Sequence, residues 1–160
     1  MQTFTKKIPE IRHENYWQRL KLLKMNYQQR RYERYRIIYI WKMLEGRVPN
    51  CGVKINSNQE GRRGRLCEVP PVSRTATARV KSLREATLQV HGVRLFNCLP
   101  AELRNITQCS DIQFKEKLDK FLTNIPDQPM TGGLMPHVID PVTGRHSNSL
   151  LDQVREHLRT

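Results

Sequence analysis

Apolar and polar positions alternate with helical spacing over two parts of the chain. Tyr16, Leu20, Leu23 and Tyr27 recur every three or four residues, which predicts a helix over Glu14–Lys24. A second helix is expected to start at Asn26, where Asn26-x-x-Gln29 fits a capping box. Tyr32, Tyr35, Tyr39 and Met43 follow at i, i+3, i+7 and i+11, and Gly46 then Pro49 stand in the order that closes a helix. Two helices with about two residues between them fold back as a hairpin or lie at an angle like a helix-turn-helix. Order resumes near Leu88, where Val90, Val93, Leu95, Phe96 and Leu99 form a short apolar element ending at Pro100. Ser110-x-x-Gln113 is a second capping box, opening a helix through about Asn124 with Phe114, Leu118, Phe121, Leu122 and Ile125 on its core face.

Between and beyond these segments the periodicity fails. Glycines and prolines interrupt residues 51–87, which read as a long basic loop or as two short strands with flexible connections. Residues 126–160 form a Pro/Gly-rich tail in which Ser149–Leu158 could close as a last short helix. The expected architecture is therefore mainly α: a flexible N-terminus (1–13), a basic helical hairpin (14–50), the basic loop (51–87), a helical segment (88–125) and the tail (126–160).

Composition narrows the function. The 160 residues carry 28 Lys+Arg against 15 Asp+Glu, a net charge of +13, as expected of a chain that binds a phosphate backbone. The excess is concentrated in the first two thirds. The longest wholly apolar run, Ile37–Trp41, is five residues. A bilayer span needs about 20. With no stretch resembling a signal peptide in the first 15 residues, an intracellular protein, nuclear or cytoplasmic, is expected. The four cysteines contain no Cys-x-x-Cys pair, so reduced thiols are expected rather than a zinc site built from Cys98, Cys109 and His91.

No phosphate loop or nucleophile elbow occurs, and Gly61-Arg-Arg-Gly64 has the wrong spacing for the former. All five aspartates lie in the last third and none are adjacent, which does not suit two-metal phosphoryl transfer. His137-x-x-Asp140 reads as ordinary loop residues. Neither a catalytic residue, a metal nor a cofactor is expected for this chain alone.

The cationic stretches are more informative. Arg30 and Arg34 stand one helical turn apart with Lys42 further along, a spacing suited to phosphate contacts. Tyr32, Tyr35 and Tyr39 share a different face, expected to pack in the core; stacking on unpaired bases is the alternative. Arg62, Arg63 and Arg65 form a concentrated loop patch, joined downstream by Arg74, Arg79, Lys81 and Arg84. A solubilising loop or a localisation signal is the rival reading of that patch.

Three blocks also carry a resemblance. Arg31-Tyr-Glu-Arg-Tyr-Arg-Ile-Ile-Tyr-Ile-Trp-Lys-Met-Leu-Glu-Gly-Arg-Val-Pro-Asn50 resembles a segment downstream of the reverse-transcriptase domain in non-LTR, LINE- or Jockey-like retrotransposon polyproteins. Gly92-Val-Arg-Leu-Phe-Asn-Cys-Leu-Pro100 with Leu103-Arg-Asn105, and Phe114-Lys-Glu-Lys-Leu-Asp-Lys-Phe-Leu122, are similar to two later blocks in the same order. The resemblance covers about residues 14–125. It implies a parent that copies RNA into DNA with Mg²⁺, whose Tyr/Phe-Ala-Asp-Asp box lies upstream of these blocks and is absent here. The expected function is thus that of a non-catalytic C-terminal fragment of an RNA-directed DNA polymerase polyprotein. It would contact template RNA or target DNA through Arg30, Arg34, Lys42, Arg62, Arg63 and Arg65, or dock on the upstream polymerase domain, or persist as an inert remnant.

Overall fold

A computed structural model describes residues 2–56, 64–71, 73–125, 127 and 149–157. The chain is mainly helical. A short helix α1 (Gln2–Thr5) and a 3-10 turn at Pro9–Ile11 lie within the N-terminal stretch 1–13. Helix α2 (Tyr16–Leu22) is N-capped by Asn15, whose side chain accepts from the Gln18 N–H. Its end is marked by Lys24 in the left-handed region, φ 52°.

Helix α3 (Gln28–Leu44) is the central element. It begins one residue later than the Asn26 capping box predicts, with Tyr27 at the N-cap and no side-chain cap of its own. The orphan Tyr27 N–H donates instead to the carboxylate of Asp127, 100 residues away. Gly46, at φ +69°, supplies the left-handed residue past the helix end, as its position predicts.

Helix α4 (Ala78–Glu85), capped by Thr77 through the Val80 N–H, occupies part of the expected loop 51–87. A π-helical turn at Leu88–Gly92 leads into α5 (Val93–Asn97), followed by α6 (Ala101–Arg104). Helix α7 (Asp111–Thr123) opens with the full Ser110/Gln113 capping box. Helix α8 (Leu150–His157) stands where a last short helix was expected. Among the described residues of the loop, the two-strand alternative appears as one antiparallel bridge, Ile55 to Cys67.

The three blocks of the resemblance meet in one core. Ile37, Ile40 and Trp41 of α3, Val93, Leu95 and Phe96 of α5, and Phe114 and Leu118 of α7 are all fully buried. Trp41 stacks on Phe114, ring centroids 4.3 Å apart and nearly parallel, and its indole N–H donates to the Ile106 carbonyl at 3.0 Å. Large aromatic side chains so placed are worth about 3–5 kcal/mol against alanine. Gly92 permits the close approach of the π turn to α3: a Cβ there would meet Leu88 Cδ1 at 2.7 Å and Ile40 Cγ1 at 3.3 Å. Leu150, Leu151 and Val154 of α8 complete the core beside α5.

Candidate nucleic-acid interface

At about 100° per residue, the 17 residues of α3 divide into two faces. The inward face carries Ile37, Ile40, Trp41 and two charged residues, Arg30 (1% exposed) and Glu33 (0%). Arg30 donates to the Gln153 side-chain oxygen and stands 3.6 Å from Asp127. Glu33 accepts from the Leu150 N–H at 2.9 Å and is 3.2 Å from the Ser149 hydroxyl, so its carboxylate caps α8. Burial pushes the Arg30 guanidinium below its ordinary value, against the pull of Asp127 and Glu33. The expectation that Arg30 contacts phosphate is therefore corrected. Tertiary partners from the C-terminal part of the chain take it into the interior, where no external anion reaches it.

Three further candidates, Arg34, Lys42 and Arg65, are held in ion pairs. Arg34 grips Asp119 of α7 with two hydrogen bonds, 2.5 and 2.6 Å, which raise its pKa. Lys42 pairs with Asp111, shared with Arg47, and these two cations hold the Asp111 carboxyl below the usual range. Arg65 binds Glu45 at 2.9 Å and reaches toward the Leu44 carbonyl, pinning the returning loop to the C-terminus of α3. Arg62 and Arg63 lie outside the described residues, as do His137 and Asp140.

The second face reverses the core assignment of the tyrosines. Tyr32, Tyr35 and Tyr39 are 55%, 62% and 43% exposed. They lie within an arc of about 60° on the outward side of α3, with Gln28 in its middle. Arg31 and Lys42 run along one edge of this arc and Arg36 along the other. Gln28, Arg31, Tyr32 and Tyr35 line a shallow open pocket. The Gln28 amide donates to the Tyr32 hydroxyl at 3.2 Å, and the Asp119-held Arg34 lies 5.7 Å from the Tyr35 ring centroid. Periodicity alone could not separate this face from the inward one, because both repeat at helical spacing. The signal available in the sequence was Arg31 and Arg36 flanking the tyrosines.

A second cationic surface is α4, which buries no residue. No carboxylate among the described residues pairs with its Arg79, Lys81 or Arg84, or with the preceding Arg74. Val80 and Leu83 of the same helix are 50% and 63% exposed.

The Mg²⁺ of the polymerase parent implied by the resemblance finds no fitting residues here: no three of His, Cys, Asp and Glu stand together as a metal-holding group among the described residues. No helix among them is long and apolar enough to cross a membrane. No family model, curated protein or solved structure matches the chain.

Proposed function

We propose that this chain is a non-catalytic, nucleic-acid-binding region of the kind found after the polymerase domain in LINE-like retrotransposon polyproteins. It would hold RNA or DNA by its phosphate backbone. The observation that carries the reading is the set of exposed Arg74, Arg79 and Arg84 with half-buried Lys81, without acidic partners among the described residues, on a chain of net charge +13. Cations that offset no internal carboxylate are available to displace counterions from a polyanion, which makes affinity fall steeply with salt. The sequence blocks quoted above supply the family part of the reading. The inward side chains of the same blocks form the core, and binding falls to residues that face away from it.

Fluorescence anisotropy with labelled RNA and DNA across a salt series tests this. The log–log slope should be about −0.7 per phosphate contact for single strands and −0.9 for duplex. Replacing Arg79 and Arg84 by Ala should flatten the slope by roughly one to two contacts' worth and weaken every sequence alike. Equal affinity and equal slope in the variant would remove α4 from the site.

A second reading has an observation of its own. Val80 and Leu83 lie exposed on α4 beside its cations, as they would on a helix that docks onto the polymerase domain. Addition of that domain in trans should then protect the α4 amides from hydrogen exchange.

A further inference from the structure

We infer that the outward face of α3 is a platform for unpaired bases, and that the nucleic acid it takes is single-stranded. This rests on the nucleic-acid reading above and adds to it the class of ligand and the residues that select it. Three large aromatic side chains exposed on one helix face are an unpartnered surface, and charge complementarity decides what covers it. The face is bordered by Arg31 and Arg36, with Lys42 beyond them already paired to Asp111, and carries no acidic side chain within its arc, since Glu33 is turned fully inward. A protein partner contacting the rings would have to be acidic around its rim. A nucleic-acid strand supplies both phosphate anions and flat π surfaces along its own length.

The spacing selects a single strand. Tyr32 to Tyr35 is a rise of about 4.5 Å along the helix and Tyr35 to Tyr39 about 6 Å. Both exceed the roughly 3.4 Å per nucleotide of a duplex strand, so the rings match bases drawn apart rather than bases stacked on each other. A tyrosine can stack only on a base whose face is free, and within a duplex no face is free. The platform is also partly preset. Gln28 tethers the Tyr32 hydroxyl, and Asp119 holds Arg34 beside the Tyr35 ring, which limits the conformational entropy lost on binding. The edge cations would lie along the strand's backbone while the open pocket between Arg31, Tyr32 and Tyr35 admits a base.

The test uses the whole chain with labelled single-stranded RNA, single-stranded DNA and a duplex of the same sequence, some strands carrying the fluorescent base 2-aminopurine. Wild type should bind either single strand more tightly than duplex and quench the 2-aminopurine; the RNA-to-DNA ratio identifies the strand held. Tyr32→Ala, Tyr35→Ala and Tyr39→Ala alter exposed side chains, and unchanged circular dichroism verifies that the fold is kept. Each should weaken single-strand binding by at least about fivefold and leave duplex binding unchanged, while phenylalanine at the same positions restores affinity. Alanine variants that bind single strands as wild type does, or that lose duplex and single-strand affinity together, overturn the inference while leaving the phosphate-binding reading intact. Wild type that binds no nucleic acid overturns both. Tyrosine variants that change the sedimentation of the chain but not its binding would show the face to be a contact between copies, and would likewise overturn it.

Discussion

Asn50 and Asn97 illustrate what single side chains do in this fold. The Asn50 oxygen accepts from the Gly52 and Val53 N–H groups at 3.0 and 2.8 Å, turning the chain sharply after α3. Asn97 brackets Cys67, accepting from its N–H and donating to its carbonyl, each at 2.8 Å. One amide thus satisfies both backbone groups of a residue that has no full strand to pair with. Cys67 itself is 4% exposed, and burial pushes its thiol up to about 11, against weaker opposing effects of Arg65 and Arg104. Thiolate is the reactive form, so Cys67 should alkylate on the order of a hundredfold more slowly than exposed Cys51 near pH 8. Mass-spectrometric mapping of iodoacetamide labelling over time reads this directly. Equal rates in the folded protein would show that Cys67 is not shielded.

At the scale of elements, the attachment of α8 to α3 dominates. It combines apolar contacts of Leu150 and Val154 with a buried polar set: Glu33 under the Leu150 N–H, Arg30 against Gln153, and Asp127 at the start of α3. His91 also faces this set, its Nε2 3.9 Å from a Glu33 oxygen. Burial raises the Glu33 carboxyl above its ordinary value, although the Leu150 N–H, Gln29, Arg30 and Ser149 oppose the rise. For a raised carboxyl, the native state binds the proton more tightly than the unfolded chain. Its stabilising contribution is full below the ordinary glutamate pKa of about 4.3 and is lost as pH rises through the native one. Glu33→Gln keeps an acceptor oxygen for Leu150 and carries no charge to bury. Its stability relative to wild type should therefore rise between about pH 4 and pH 7, as urea unfolding of both proteins would report. A difference that stays level, or moves the other way, would mean that Arg30 and the donors outweigh burial at this carboxylate.

For the whole molecule the governing quantity is charge. Paired cations such as Arg34, Lys42 and Arg65 tie α7 and the returning loop to α3, yet the chain keeps an excess of +13. Exposed pairs contribute little individually, whereas unbalanced repulsion acts over the whole surface. Raising ionic strength from about 0.01 to 0.15 M shortens the screening length from roughly 30 to 8 Å. The melting temperature should consequently increase over that range in scanning calorimetry. A fall would show that the close pairs, led by the Lys42–Asp111–Arg47 group, outweigh the repulsion. A polyanionic ligand should raise the melting temperature by the same route, with the added gain of binding only the native state.

What the sequence by itself determined is local. The capping box at Ser110, the helix stop at Gly46 and the apolar faces of the segments around Phe96 and Phe114 each depend on residues within a few positions of one another. They hold whatever surrounds them. Helix α4 was hidden because it buries nothing and so leaves no apolar period to read. The inside and outside of α3 were decided by tertiary structure alone. Tyr32, Tyr35 and Tyr39 form as regular a stripe as Glu33, Ile37 and Ile40, and the second of these carries a charge. The opposite side faces the core because α8 and Asp127, more than 80 residues further along the chain, bring the hydrogen bonds and the opposite charge that allow Arg30 and Glu33 to be buried. A buried charge is tolerated only where such partners meet it. Those partners belong to the folded chain, and with the charged pair turned in, the aromatic face is left to solvent.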